Sequence, residues 1–321
     1  MSSPALRLGL VGCGRLAEHG YAPAAARSDA VRIVAVADPV RARRELVAGL
    51  VAGLAGTGAA VASCTDAREL VARADVDAVI VASPVAAHLA DARAATDAKL
   101  PVLVEKPPAP DAATASQLAD LSPLPWVGFN RRFDPGARRV RDAVVAAGPI
   151  ELELEIAYRR KSWRACSVRD DALLDLGPHL VDWAAWISAS DVIGVEHAAV
   201  APDRASCTLV LGRGRARIVA ACDRSHREVI TVRDAVGALV ERHSSGGPLA
   251  LVRARLSSGP HPLVLSLGAQ LDAFARAVHG TDAPGLATAR DAHGVMGVID
   301  AIRESAARGG RSVPVVSAPG G

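Results

Sequence analysis

Lys106 stands just past the apolar run Leu100 to Val104, between Glu105 and the prolines Pro107 and Pro108. Of 37 basic residues only Lys99, Lys106 and Lys161 are lysine, so where charge alone is needed the chain carries arginine. A lysine ammonium is compact, bonds as a point charge and shifts its pKa when desolvated. Lys106 is therefore a candidate for chemistry, and a strand-end ion pair with Glu105 is the plainer structural reading. Asp175 and His179 form a second set, four residues apart at an expected helix start, where that spacing brings side chains to one face. Gly177-Pro178 between them suits the turn that opens such a helix. A histidine oriented by a carboxylate is a general base near neutral pH. A helix-capping acid and a buried core histidine would account for the same two residues without chemistry.

The elements around the first set are legible. Leu6 to Val11 reads as a buried strand, and Gly12-Cys13-Gly14-Arg15-Leu16-Ala17 opens a helical stretch through Ala26. This is the strand, glycine turn and helix of a dinucleotide site, with Arg15 and Leu16 inside the turn and Ala17 in its third small position. Gly12 permits the tight turn, Gly14 lets the backbone approach a pyrophosphate, and the helix N-terminus faces the anion. A second strand, Val31 to Ala37, ends in Asp38, 21 residues past Ala17, where a carboxylate bonds the adenosine ribose hydroxyls. Asp38 repels a 2′-phosphate and favours NAD; Arg41, Arg43 and Arg44 leave NADP open, since one of them could fold back to accept it.

A chain of 321 residues suggests two domains, with only nine aromatic residues and a core built of Ala, Val and Leu. The expected division is 1–125 and 126–321. The first part alternates strand (6–11, 31–37, 60–63, 78–82, 100–104, 125–128) and helix (15–26, 40–54, 66–73, 86–97, 111–120). Strands without polar alternation imply a parallel sheet covered on both faces. The second part has helices at 135–147 and 178–187. Its strands, at 151–157, 192–200, 206–211, 215–221, 228–232 and 238–242, imply a mainly antiparallel sheet, and helices at 265–279 and 288–307 close the chain. A formal charge of +3 spread along the chain gives no reason to invoke nucleic acid. The five cysteines show no metal-ligand spacing, and no metal is expected; their odd number reads as reduced thiols in a cytoplasm. The uncharged stretch Leu46 to Thr65 has bilayer length but four glycines, and suits helix, turn and strand better than a membrane span.

Taken together, Gly12-x-Gly14-x-x-Ala17, Ala37-Asp38-Pro39, Ser83-Pro84-x-x-x-His88, Glu105-Lys106-Pro107, Asn130-Arg131-Arg132-Phe133, Asp175-Leu176-Gly177-Pro178-His179 and the closing Ala301-Ile302-Arg303-Glu304-Ser305-Ala306 helix resemble the glucose–fructose oxidoreductase and inositol dehydrogenase (Gfo/Idh/MocA) family. The resemblance covers almost the whole chain. It implies an α/β Rossmann nucleotide-binding domain followed by an α+β domain with an open-faced sheet, and homodimers or homotetramers paired through that face. It also implies hydride transfer between nicotinamide and a secondary hydroxyl or keto carbon of a cyclitol or sugar. His179 would then take the hydroxyl proton, Asp175 would orient it, and Lys106 would bond the developing alkoxide.

Ser83 and Pro84 end the fourth strand where a parallel sheet opens its ligand crevice, and His88, one turn on, would reach the cofactor or serve only as a polar first-turn residue. Glu105 joins the cofactor set with Lys106. Arg131 would touch the cofactor or bridge domains, and Trp163 would wall the substrate site; the basic run 159–164 around it reads as a solvated loop or, beside the site, would favour an anionic or nucleotide-linked substrate. Competing functions are a reductase of nucleotide-linked keto-sugars, in which a tyrosine commonly stands where His179 does, an imine reductase, and a non-catalytic NAD(P)-binding regulator, which tends to lose the lysine or the histidine.

Overall fold

The computed structural model describes residues 4–56, 60–72, 75–144, 148–159, 171–246 and 259–315. The chain forms two compact units, Met1–Phe133 with Pro260–Ala292, and Asp134–Gly259 with His293–Gly321.

The first unit holds β1 (Leu6–Val11), β2 (Val31–Ala37), β3 (Ala62–Cys64), β4 (Ala78–Val81), β5 (Val102–Glu105) and β6 (Trp126–Gly128). Its helices are α1 (Ala22–Ala25), α2 (Arg41–Ala55), α3 (Ala67–Val71), α4 (His88–Asp97) and α5 (Ala112–Ala119). Strands such as β4 and β5, buried at every position, need cover on both faces, and helices supply it. The sheet order is β13-β6-β5-β4-β1-β2-β3, parallel except for the short β13 (Ala287–Thr288). Register aligns one row of residues across the sheet, with Ala37 opposite Val11, Val11 opposite Val81, and Val81 opposite Val104. The carboxyl ends of β2, β1, β4 and β5 therefore finish side by side. The uncharged stretch 46–65 divides between α2, the left-handed Gly56 (φ +63°) and β3, with 57–59 outside the described residues.

The unit boundary departs from the expected 125/126. β6 extends the first sheet by pairing with β5, Leu103 opposite Trp126 and Glu105 opposite Gly128. The helix Pro262–Val278 (α8) also belongs here. Its Leu267, Leu271 and Phe274 are buried in the core with Leu8, Leu10 and Tyr21. Trp126 meets Phe274 edge-to-face with centroids 5.6 Å apart. A segment distant in sequence covers this sheet face, which a linear division of the chain has no means of registering.

The second unit holds α6 (Pro135–Val144), β7 (Ile150–Ala157), α7 (Ala172–Ser188), β8 (Val192–Ala201), β9 (Arg204–Leu211), β10 (Gly214–Ala221), β11 (Arg227–Asp234), β12 (Leu239–Gly246) and β14 (Val313–Pro314). The helix Ala289–Ala307 (α9) joins it from His293 onward. The order is β12-β11-β7-β10-β9-β8-β14, antiparallel except between β7 and β10. Along β7 the apolar Ile150, Leu152, Leu154 and Ile156 are buried, while Glu151, Glu153 and Glu155 alternate outward. Helix α7 packs on β7, β8, β9 and β10, and α6 on β11 and β12.

Helix α7 starts six residues before the expected 178. Asp171 caps it, its carboxylate accepting the Leu174 N–H at 2.7 Å. Asp175 is thus a first-turn residue rather than the cap, and Pro178 lies inside the helix rather than opening it. Pro178 has no N–H to offer the Leu174 carbonyl, a local loss that a helix buried along most of its length tolerates. The Gly-Pro dipeptide imitates a helix start, and the true cap lies upstream.

Candidate active site

The glycine turn follows β1 directly. Gly12 has φ +93°, and a Cβ there would lie 2.5 Å from the Ala82 carbonyl and the Ser83 nitrogen. Only glycine fits between these strand ends. Gly14 has open space within 4 Å of the same construction, as a backbone that must approach an anion requires. Arg15 and Leu16 are half-buried, Ala17 is fully buried, and a π-helical turn over Ala17–Tyr21 leads into α1.

Asp38 lies one residue past β2. One carboxylate oxygen accepts the Cys13 N–H at 2.9 Å and the other the Val40 N–H at 2.8 Å. The carboxylate is therefore fixed beside the glycine turn, and each oxygen keeps acceptor capacity for a ribose hydroxyl. The three arginines after it are engaged elsewhere. Arg41 bonds Glu45 at 2.6 Å, Arg43 bonds the Cys13 carbonyl at 2.8 Å and Glu18 at 3.0 Å, and Arg44 bonds the Asp38 carbonyl at 3.1 Å. Burial, with Asp38 close by, pushes the Cys13 thiol up to about 12, so Cys13 serves the turn as an inert small side chain. These residues fit the adenosine and pyrophosphate of a dinucleotide.

At the end of β4, the Ser83 hydroxyl donates to Asp91 at 2.6 Å, so it turns toward its own helix. Pro84 is exposed and extended, at the entry to the following turn. His88 is only 2% exposed, and its Nε2 pairs with the Ser83 carbonyl at 2.7 Å. Burial lowers its pKa, against the pull of the carbonyls of Ser83, Pro107 and Pro108. His88 thus braces the end of β4 and the loop after Lys106 from beneath, an alternative to the cofactor contact expected for it.

Glu105 is likewise buried. Its Oε2 accepts the Lys106 N–H at 3.0 Å, and its Oε1 accepts the Tyr21 hydroxyl at 2.5 Å. Lys106 itself is half-buried and begins a cis peptide to Pro107. It emerges two strands from the glycine turn, roughly 10 Å at the usual strand spacing. Arg131 is half-buried in the turn Asn130–Phe133, which is tied down by an Asn130–Ser266 bond of 2.9 Å.

In the second unit, Asp175 is half-buried and His179 is 3% exposed, one turn apart on α7. Tyr158, just past β7, donates its hydroxyl to the Asp175 carboxylate, and the Cys222 thiol, just past β10, lies 4.0 Å from the same oxygen. β7 and β10 are adjacent and parallel, Ala157 opposite Ala221, so two neighbouring strand ends deliver these partners. The spacing patterns of the sequence do not single out Tyr21, Gln270, Tyr158 or Cys222. Trp163 and Lys161 lie outside the described residues.

Residues 6–123 match the model of an oxidoreductase family with an NAD-binding Rossmann fold, Gfo/Idh/MocA. The match lies within the first unit and covers the NAD-binding part of that family. It is 32% identical to the rhizopine catabolism protein MocA of Rhizobium meliloti over 195 residues, 58% of each chain. It is 30% identical to an inositol 2-dehydrogenase of Saccharopolyspora erythraea over 202 residues, 61% of this chain and 57% of that one. The chain thus spans less than two thirds of the length of these relatives. The fold match is longer. Scyllo-inositol dehydrogenase from Lactobacillus casei, solved with NAD(H) and scyllo-inositol, superposes with a TM-score of 0.77 over 97% of this chain and 99% of that one, at 17% identity. The first unit thus matches an NAD-binding Rossmann fold, and the second is built on a mainly antiparallel sheet.

Proposed function

We propose that the protein is an NAD-dependent dehydrogenase acting on a secondary hydroxyl of a cyclitol or sugar. One observation carries the reading. The row of strand ends that positions Gly12 and Asp38 for a dinucleotide also delivers Lys106, held by a buried carboxylate. Relatives named as inositol dehydrogenases, one of them solved with NAD(H) and scyllo-inositol, favour a cyclitol among secondary alcohols.

When bound, the nicotinamide accepts or returns the hydride. The chain's own residues handle charge and protons. Lys106 presents its ammonium to the substrate oxygen and stabilises the charge that grows there as the C–H bond breaks. His179 takes the hydroxyl proton during oxidation and gives it back during reduction. Asp175, held by Tyr158, stabilises the imidazolium while it carries that proton. Gly14 admits the pyrophosphate to the helix N-terminus, and Asp38 accepts from the ribose and disfavours a 2′-phosphate. The subunits associate into a homo-oligomer through the outer face of the second sheet. No helix among the described residues is long and apolar enough to cross a membrane.

The test is nicotinamide absorbance with NAD or NADP against a panel of inositols, aldoses and uronates. Wild-type protein is expected to reduce NAD with at least one inositol. Lys106→Ala is expected to lose roughly 10²-fold or more in kcat while still binding NAD. Silence across the panel with intact cofactor binding would overturn the assignment.

A further inference from the structure

The chain contains only two tyrosines, and each sends its hydroxyl to the carboxylate of a motif already described, Tyr158 to Asp175 and Tyr21 to Glu105. The Tyr21 pair lies wholly inside the first unit and is fully enclosed. Tyr21 and Gln270 are 0% exposed and Glu105 is 5% exposed. The Gln270 amide donates to the Tyr21 oxygen at 3.3 Å, the Tyr21 hydroxyl donates to Glu105 Oε1 at 2.5 Å, and the Lys106 N–H donates to Glu105 Oε2 at 3.0 Å. Strand β6 contributes only Gly128 here, where a Cβ would come within 3.0 Å of Glu105 Oε1. A side chain at position 128 would thus crowd the carboxylate that the phenol reaches.

We propose that Tyr21, backed by Gln270, is a positioning residue for Lys106, its hydroxyl holding the Glu105 carboxylate where it fixes the Lys106 backbone. The proposal rests on the reading of Lys106 as the catalytic cation. Tyr21 ends the turn that follows the glycine motif, whereas Lys106 follows β5. The element that meets the pyrophosphate and the residue that meets the substrate are therefore joined by one buried hydrogen bond. A buried carboxylate with an acceptor oxygen left empty would not stay charged or in place.

The sign of the pH effect follows from the groups that face Glu105. Burial pushes its carboxyl up; the Tyr21 hydroxyl, the Lys106 ammonium and the Lys106 N–H pull it down. Gln270 is neutral and acts through the phenol, and Gly128 brings no side chain. Removing the phenol hydroxyl takes away the first of the opposing pulls, so Glu105 gains its proton at a higher pH. The acid limb of the kcat profile then moves upward.

The experiment is Tyr21→Phe in the full chain, alone and combined with Glu105→Gln, assayed with NAD and an accepted inositol. Tyr21→Phe is expected to lower kcat roughly tenfold and raise the acid limb, with the NAD dissociation constant unchanged within about twofold. In the Glu105→Gln background the same substitution is expected to change kcat by less than about twofold, because the two groups act as one unit. A substrate-free readout separates this proposal from the dehydrogenase assignment. The ¹³C side-chain resonance of Glu105 should titrate at higher pH in Tyr21→Phe, whatever the substrate proves to be. Gln270→Leu is expected to move the same titration in the same direction, which serves if Tyr21→Phe does not fold. Unshifted titration in a folded variant, or an equal loss of kcat in both backgrounds, would overturn the proposal. A wild-type protein that reduces no cofactor, with the Glu105 shift present, would instead remove only the catalytic assignment.

Discussion

On the proposed reading, the identity of the cofactor is decided at Asp38. Its two oxygens are oriented by the Cys13 and Val40 amides, and the neighbouring arginines are bonded to the protein itself. Asp38→Ser removes both the ribose acceptor and the repulsion of a 2′-phosphate. The ratio of kcat/KM for NAD over NADP is expected to fall by roughly tenfold or more, the weight of a hydrogen bond to a charged group. An unchanged ratio would mean that another residue reads the ribose. Asp38, the glycine turn and Lys106 are legible in the sequence because each sits at a fixed offset from an apolar strand. Tyr21 is not, because its partner is 84 residues away and a lone tyrosine in an apolar helix reads as core. Tyr158 escapes notice for a similar reason, since only the pairing of β7 with β10 and the packing of α7 on both bring it to Asp175. A weak signal existed. In a chain with two tyrosines and three lysines, the rare polar side chains are the ones to follow.

At the scale of elements, β1 to β6 are recovered within two residues from their apolar runs, because parallel buried strands carry little else, whereas the short antiparallel β13 is missed. The start of α7 is not. Gly177-Pro178 looks like an opening turn, while the cap is Asp171, beside a segment with no periodicity to announce it. The β1–β4 pairing offers a test of element-level energetics. Arg7 forks onto Asp77 with bonds of 3.0 and 2.6 Å, and the Arg7 N–H adds a third at 2.9 Å. The Arg7 hydrogen bond holds the Asp77 carboxyl below its usual range. Its stabilising contribution is therefore complete above the unfolded-state pKa of about 4 and fades as pH falls through the lower folded value. Both side chains are about a third exposed, so Asp77→Asn is expected to cost only about 1 kcal/mol in urea unfolding at neutral pH. The variant's deficit should shrink in acid. A deficit that persists undiminished below the carboxyl range would assign the effect to packing instead.

At the scale of the whole molecule, the sequence anticipates two units but not that residues 260–292 return to the first. The second sheet keeps a charged outer face. Glu151 and Glu153 on β7 lie beside Arg215 and Arg217 on β10, and Arg233 on β11 stands opposite Glu151 from the other side. Columns of alternating sign can pair with a second copy of themselves. Self-association through this face is therefore expected to weaken severalfold as salt rises from about 0.05 to 0.5 M, read by sedimentation equilibrium, because exposed charges are screened over a few ångströms at the higher strength. An oligomer indifferent to salt would point to a different surface. In the proposed reaction, hydride leaves a carbinol carbon under the control of Lys106. The most direct measurement follows nicotinamide absorbance and label transfer with NAD and inositols deuterated at the ring carbons, in wild type and in Lys106→Ala. Wild type is expected to give reduced NAD carrying deuterium, formed more slowly than from unlabelled substrate, and the variant almost none. Reduction that proceeds undiminished in Lys106→Ala, or NAD that binds but is never reduced, would contradict the proposed reaction.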